Sequence, residues 1–134
     1  EIIYLDAQTH TCIEEVGAAN FFCVKDGVLY TPELTGTILP GITRASIIEL
    51  ARNAGIEVHE TKVTAEFAMS ADEAFCCGTA AVISPIGSIT HGEVKASYGD
   101  GKPGPMTEQL YNHLVGIQNE TEEDIFGWLH EVPL

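Results

Sequence analysis

The chain has 134 residues, of which 45% are hydrophobic, and a formal net charge of −14 at pH 7. This length is typical of one domain with a core of its own. Twenty Asp and Glu residues against six Lys and Arg residues argue against nucleic acid or an anionic membrane surface as a partner, because both would be repelled at long range. No run of about 18 apolar residues is present, which excludes a membrane-spanning helix.

The cysteines and histidines do not have the spacing of a metal site. The four cysteines lie at positions 12, 23, 76 and 77, without the C-x-x-C pairs that are typical of zinc ligands. Adjacent Cys76 and Cys77 are poorly placed for one disulfide. We therefore expect four reduced, buried thiols and no bound metal.

The beginning of the sequence is typical of short strands joined by tight turns. IIYLDA predicts a strand, TCIEEVGAANFFCV a strand, a bend and a second strand, and VLYTP a further strand. Lys25, Asp26 and Gly27 give the turn signal, because Asp-Gly tolerates the positive φ angles that hairpin turns need.

A helix is predicted from Thr43 onwards, after a Pro-Gly bend. Gly55 is expected to end it as a C-terminal cap would. Apolar residues at helical spacing predict its buried face, namely Ile47, Leu50, Ala51 and Ala54.

The rest of the chain mixes strands and helices. IEVHETKVT predicts a strand, TAEFAMSADEAF a short helix, and AAVISPIGSI and GEVKASY two further strands around THG. The glycines and prolines of residues 99–105 predict a loop. A helix over residues 105–119 is predicted by a stripe formed by Met106, Leu110, Leu114 and Ile117. Strands outnumber helices, so the predicted fold class is α+β.

The stretch ILPGITRASI, residues 38–47, has the features of an anion-binding helix start. The first backbone N–H groups of a helix have no internal partner and carry the positive end of its dipole, so they can hold a phosphate without a lysine. Gly41 would let a ligand approach the backbone, and Thr43 could add a hydroxyl donor. The alternative is that Thr43 merely caps the helix.

Two adjacent carboxylates stand in the predicted strand IEEV. Strand alternation predicts that one of Glu14 and Glu15 faces the core while the other faces solvent. A buried carboxylate needs a positive or proton-donating partner, because leaving it unpaired costs several kcal/mol. A protonated pyridine nitrogen would serve, and so would a salt bridge to one of the few basic residues.

Gly78 and Thr79 follow an extended apolar stretch and form a second candidate anion contact. A small residue and a hydroxyl together permit backbone and side-chain donors to meet an anionic group. The alternative is a strand end with a Thr whose hydroxyl bonds to the backbone.

Four motifs in order resemble one enzyme family. EEVGAANFF, GTILPGITRASI, FCCGTAAVISPIG and GWLHEV are similar to the C-terminal half of branched-chain amino acid aminotransferases. These are class IV, D-amino acid aminotransferase-like enzymes that use pyridoxal 5′-phosphate. The resemblance covers almost the whole chain, from YLDA to WLHEV, and implies the large C-terminal domain of that fold, a mixed β pseudo-barrel flanked by helices, over residues 1–134.

The resemblance assigns cofactor contacts to the first two motifs. Glu15 corresponds to the glutamate that binds the pyridine nitrogen, which would keep the ring protonated. Leu39 corresponds to the residue that packs on the ring. Ile42 and Thr43 correspond to the residues whose amides bind the phosphate.

The third motif corresponds to a second phosphate contact and a substrate contact. Thr79 matches the phosphate-binding threonine, and the backbone of Thr79 and Ala80 resembles the turn that receives the substrate carboxylate. Mammalian members have a redox C-x-x-C after G-T-A, where this chain has Ala81 and Ser84. We therefore expect no thiol switch of that kind.

The resemblance also implies parts that these residues do not include. The Schiff-base lysine of the family lies upstream of the YLDA strand, hence before Glu1, and none of Lys25, Lys62, Lys95 and Lys102 matches its motif. An N-terminal domain is likewise expected, and the intact protein is expected to be a homodimer. The chain alone is expected to be inactive.

The expected reaction of the intact protein exchanges amino groups between leucine, isoleucine or valine and 2-oxoglutarate. The location is expected to be cytoplasmic, or organellar if a transit peptide has been removed. Two alternatives remain at this point. One is a D-amino acid aminotransferase or an aminodeoxychorismate lyase-like enzyme with the same cofactor, and the other is a non-catalytic domain of the same fold.

Overall fold

A computed structural model describes residues 1–134, and it has the α+β class that the sequence predicts. Seven strands form one sheet and two form a separate hairpin. The strands are β1 (Ile3–Leu5), β2 (Ile13–Val16), β3 (Ala19–Lys25), β4 (Val28–Pro32), β5 (Val58–Thr61), β6 (Glu73–Gly78), β7 (Val82–Pro85), β8 (Ser88–His91) and β9 (Val94–Ser97). The helices are α1 (Ile42–Asn53), α2 (Ala65–Met69) and α3 (Pro105–Gln118).

Strand β3 is the centre of the large sheet. Its beginning pairs with β2 and its end with β4, while its other edge pairs with β6 over five residue pairs. Every pairing is antiparallel except that of β4 with β5, and the chain makes this parallel connection through α1. The central position of β3 places the residues at its beginning between two neighbouring strands.

The two faces of the sheet carry separate hydrophobic cores. On one face the side chains of β3, β4 and β6 pack against α1 and α3, and Phe22 stacks on Phe75 with ring centroids 5.0 Å apart. The opposite face packs against α2 and the β8–β9 hairpin, and its core includes Phe21, Val63 and Tyr98. Both faces are therefore buried, and β3 is apolar over four successive residues, 21–24.

The predicted turns and helices are confirmed with small differences. Asp26 and Gly27 have φ angles of 51° and 76°, as the Asp-Gly turn between β3 and β4 requires. Helix α1 begins at Ile42, one residue before the predicted start, and Gly55 has the positive φ of 79° expected after a helix end. The prediction that Ala54 is buried is wrong, because it lies at the C-cap and is exposed.

The stretch AAVISPIGSI forms two strands rather than the predicted one. Strand β7 ends at Pro85, whose ring nitrogen has no hydrogen to donate to a ladder. The chain then turns away from the large sheet and begins β8, which pairs with β9. The predicted loop over residues 99–105 contains a short 3₁₀ turn, Gly99–Gly101.

The four cysteines are unpaired, as predicted. Cys23 and Cys77 are buried, and burial raises the pKa of each thiol to about 12. Cys12 and Cys76 are only half-buried, so the prediction of four buried thiols is wrong for these two, although burial still raises the pKa of Cys76. The two core thiols therefore stay protonated at neutral pH and act as small apolar side chains.

No helix in the chain is long and apolar enough to span a membrane; the longest, α3, has 14 residues.

Glu73 of β6 caps the beginning of α3. Its carboxylate is 7% exposed and accepts hydrogen bonds from the Thr107 amide at 2.9 Å, the Thr107 hydroxyl at 2.8 Å and the Met106 amide at 3.2 Å. A negative charge at this position satisfies free amides and interacts favourably with the helix dipole. The contact fixes α3 against the sheet.

We expect Glu73→Ala to lower the free energy of unfolding by about 2 kcal/mol, because it removes a helix cap and leaves buried donors without a partner. Urea denaturation followed by circular dichroism measures this loss. Glu93→Ala, in the exposed turn between β8 and β9, is the control and should be neutral. Equal losses in the two variants would contradict the capping role.

Candidate cofactor site

A β-bulge in strand β2 places both of its carboxylates against one loop. Tyr4 pairs with Glu15 while the next residue, Leu5, pairs with Ile13, so Glu14 is an extra residue in the ladder. A bulge breaks the alternation of side chains along a strand. The prediction that one glutamate faces the core and the other solvent is therefore wrong, since both are half-buried.

Each glutamate accepts a hydrogen bond from the loop before α1. The Thr37 hydroxyl donates to Glu14 Oε1 at 2.9 Å, and the Leu39 amide donates to Glu15 Oε1 at 3.1 Å. Neither carboxylate forms a salt bridge, which excludes the alternative of a pairing with a basic residue of this chain. No group of the chain donates a hydrogen bond to Glu15 Oε2, so that oxygen can still accept one from a ligand.

Both backbone polar groups of Leu39 form hydrogen bonds. Its amide bonds to Glu15, while its carbonyl accepts from the Asn20 side-chain amide at 3.0 Å and from the Gly41 backbone amide at 2.8 Å. Its own side chain is exposed. Glu15 and the beginning of α1, which the sequence predicts to share one ligand, are thus linked through a single residue.

Helix α1 begins without a cap. Gly41 at the N-cap has no side chain, the first turn contains no acidic residue, and the amides of residues 42–44 donate to no acceptor in the chain. Helix α2 is capped by the Thr64 hydroxyl, and α3 by Glu73. Thr43 lies at the second helical position, so the alternative that it caps the helix is wrong. Three free amides and a positive dipole end can therefore hold an anion.

The cation nearest in sequence to these amides points away from them into the protein. Arg44 is 4% exposed and donates from Nη2 to the Pro32 carbonyl at 3.1 Å and to Glu60 Oε1 at 2.8 Å. The second carboxylate oxygen of Glu60 contacts Arg52. The Arg44 charge is thus compensated inside the fold, and the anion-binding capacity of this surface comes from backbone groups.

Thr79 and Ala80 lie in the turn between β6 and β7. Gly78 pairs with Val82 and encloses residues 79–81. The turn is exposed and ends in a strained position, because Val82 has a φ of 57°, which β-branched residues rarely adopt. It follows Cys77 closely, and Cys77 pairs with Asn20 on β3.

No hydrogen bond joins Thr79 or Ala80 to Glu15 or Leu39. Thr79 and Ala80 line a cleft of 570 Å³ on the face of the sheet away from α1, with Val16, Cys76 and Ile86 among the other lining residues. The shared phosphate contact of Thr79 and Thr43 stays a prediction. The register of β2, β3 and β6 puts Glu15, Asn20 and Cys77 in one row, so the turn lies at the same end of the sheet as Glu15.

Asn20 is the site residue to which the sequence assigned no role. It is 6% exposed, and it forms part of the quoted motif EEVGAANFF. The signal available in the sequence was an amide side chain within an apolar strand, because such a group requires hydrogen-bond partners when it is buried. Its partner, the Leu39 carbonyl, lies 19 positions away in the sequence.

The family profile described as amino-transferase class IV matches residues 1–89. The chain belongs to this family. Among curated relatives of this class IV chain, a chloroplastic branched-chain-amino-acid aminotransferase 5 of Arabidopsis thaliana is 48% identical over 96% of the chain and 31% of its own length. The class IV chain therefore spans about a third of that relative.

Solved structures of class IV enzymes have the same fold. The branched-chain amino acid aminotransferase of Escherichia coli is 42% identical, with a TM-score of 0.86 over 96% of this chain and 40% of that chain. A branched-chain amino acid aminotransferase from Thermobaculum terrenum, described as a PLP-form holoenzyme, is 36% identical with a TM-score of 0.85. The match covers 96% of this chain and 40% of that chain.

Proposed function

We propose that residues 1–134 form the C-terminal cofactor-binding domain of a pyridoxal phosphate-dependent branched-chain aminotransferase. The observation that carries this proposal is the link from Glu15 through Leu39 to the uncapped start of α1. It presents one carboxylate oxygen and several free amides at adjacent positions on one surface. A ligand with a protonated ring nitrogen and a phosphate matches both groups.

The residues present fit pyridoxal phosphate. Glu15 Oε2 would accept the pyridine N–H, and the amides of Ile42 and Thr43, next to Gly41 at the uncapped start of α1, would donate to the phosphate. Leu39, whose side chain is exposed, would pack on the ring. When bound, the cofactor supplies an electron sink for negative charge at the substrate Cα, and a carboxylate that keeps its ring nitrogen protonated strengthens that sink.

The turn of Thr79 and Ala80 is proposed to complete the site. The Thr79 hydroxyl would provide a second phosphate contact, and the backbone of both residues would receive the substrate carboxylate. The turn is exposed and connects two paired strands at one end of the sheet. Its backbone groups are therefore oriented by the sheet before any ligand binds, which suits them to this role.

The proposed reaction transfers the amino group between leucine, isoleucine or valine and 2-oxoglutarate. It requires a lysine and an N-terminal domain from outside these residues, and we propose that the intact protein is a homodimer. The relatives described above are named branched-chain aminotransferases, which favours this reaction over D-amino acid or lyase chemistry. The free amides and the open Glu15 oxygen argue against a non-catalytic domain, which would need neither.

We expect pyridoxal phosphate to bind this chain weakly and reversibly. Because none of its four lysines matches the family's Schiff-base motif, treatment with borohydride should leave no covalent adduct at a single site, as measured by mass spectrometry after dialysis. A stable stoichiometric adduct would contradict the proposed missing lysine. No saturable binding at all would contradict the proposed site.

The substrate class is tested on the longer protein that includes the upstream sequence. Leucine with 2-oxoglutarate should yield glutamate, and D-alanine should be a poor amino donor. Preference for D-alanine would support the D-amino acid alternative. If the upstream sequence lacks a lysine that binds the cofactor, the non-catalytic alternative would replace the proposal.

A further inference from the structure

Asn20 contacts the bend before α1 at two residues, Leu39 and Gly41. It stands in the middle of the row in which Glu15 pairs with Asn20 and Asn20 with Cys77. Its Nδ2 donates to the Leu39 carbonyl at 3.0 Å, and its Oδ1 lies where a Cβ at position 41 would be. Asn20 is only 6% exposed, so its amide depends on partners within the protein.

We propose that Asn20 is a positioning residue that fixes the distance between the Glu15 carboxylate and the free amides of α1. This inference rests on the proposed function, because that distance matters only for a ligand that touches both groups. Glu15 and Asn20 are cross-strand neighbours, so the sheet sets their spacing. Glu15 accepts from the Leu39 amide and Asn20 donates to the Leu39 carbonyl. The position of the loop before α1 therefore depends on the spacing of these two strand residues.

The same contact explains why position 41 is a glycine. Gly41 has φ −62° and ψ 141°, a conformation that any residue adopts, so backbone freedom does not require glycine. A Cβ added there would overlap with Oδ1 of Asn20. The glycine therefore provides space for the Asn20 amide, and the two positions should be coupled when they are substituted.

A double-mutant cycle tests this coupling through ligand affinity. Pyridoxamine 5′-phosphate is the probe for the whole site, since it forms no bond with lysine, and inorganic phosphate is the probe for the α1 amides alone. Asn20→Ala should raise the Kd for pyridoxamine phosphate about tenfold, the effect of one lost buried hydrogen bond. The Kd for inorganic phosphate should change less than about twofold, because the amides themselves remain.

Gly41→Ala should also weaken pyridoxamine phosphate binding, and Asn20→Ala should relieve that effect. In the double variant the loss should therefore be smaller than the product of the two single losses. If the affinity loss in the double variant equals the product of the two single losses, the inference is overturned. So would an equal loss of affinity for both probes in Asn20→Ala, which would indicate a general loss of structure.

Amide hydrogen exchange on the ligand-free chain tests the inference separately from the proposed function. Protection of the Leu39 and Gly41 amides should fall about tenfold in Asn20→Ala. Asn20→Leu, which keeps the core filled, should give the same local loss. Thr31→Val, which removes the buried bond from Thr31 Oγ1 to the Phe21 carbonyl on the same sheet, is the matched control and should leave the Leu39 and Gly41 amides protected.

Unchanged protection at Leu39 and Gly41 in both Asn20 variants would overturn the positioning role. If the wild-type chain binds no pyridoxamine phosphate, the proposed function fails. The exchange measurement then still decides whether Asn20 holds this bend.

Discussion

Glu15→Gln is expected to reduce kcat/KM for leucine in the intact enzyme by roughly 10- to 100-fold. A hydrogen bond to a charged group contributes about 1.5–3 kcal/mol, and about 1.4 kcal/mol corresponds to a factor of ten in rate. Glutamine cannot keep a pyridine nitrogen protonated, so the electron sink is weakened. The glutamine side-chain oxygen can still accept the hydrogen bond that the Leu39 amide donates to Glu15 Oε1. The loop before α1 should therefore keep its position.

The cause of that loss can be measured on the chain without turnover. The ¹⁵N chemical shift of ring-labelled pyridoxamine phosphate should report a protonated nitrogen with Glu15 and an unprotonated one with Gln at neutral pH. Glu14→Gln is the matched control, since Glu14 belongs to the same bulge but bonds to Thr37, and it should leave both readouts unchanged. A ring nitrogen that stays protonated in Glu15→Gln would contradict the assigned role.

Several elements of the fold were predictable because their signals are local. The Asp-Gly turn and the α1 pattern ending before Gly55 each depend on residues within a few positions of one another. The uncapped start of α1 follows from the same local rule, since a helix that begins after Pro-Gly has no side-chain cap at that glycine. Local chemistry of this kind can be read from a single stretch of sequence.

The relation between Glu15 and α1 could not be derived from local chemistry. It depends on the bulge at Glu14, which is set by the register of β1 against β2, and strand alternation predicts the opposite arrangement. The role of Asn20 likewise depends on a carbonyl that a distant loop brings to it. Only the family resemblance predicted that Glu15 and residues 42–43 share a ligand, because it carries information about tertiary position.

Ile42→Pro is expected to weaken binding of pyridoxamine phosphate about tenfold or more without destabilising the chain. Ile42 is the first helical residue, and proline is favoured there because that amide has no partner within the helix. Helix α3 already begins with Gly104 and Pro105, and Gly104 has φ −72° and ψ 162°, close to the −62° and 141° of Gly41. The substitution therefore removes one proposed phosphate donor and gives α1 the same start as α3.

Ile42→Ala separates the amide from the side chain. The Ile42 side chain is 86% exposed, so its truncation should change neither the urea midpoint nor the affinity for inorganic phosphate. In Ile42→Pro the urea midpoint should hold or rise, while the affinity for inorganic phosphate falls together with that for pyridoxamine phosphate. This pattern differs from that of the Asn20 variants, which should spare inorganic phosphate. A proline variant that binds both probes as tightly as the wild type would show that the phosphate lies elsewhere, because a charge held by the first amides of a helix cannot lose one of them without effect.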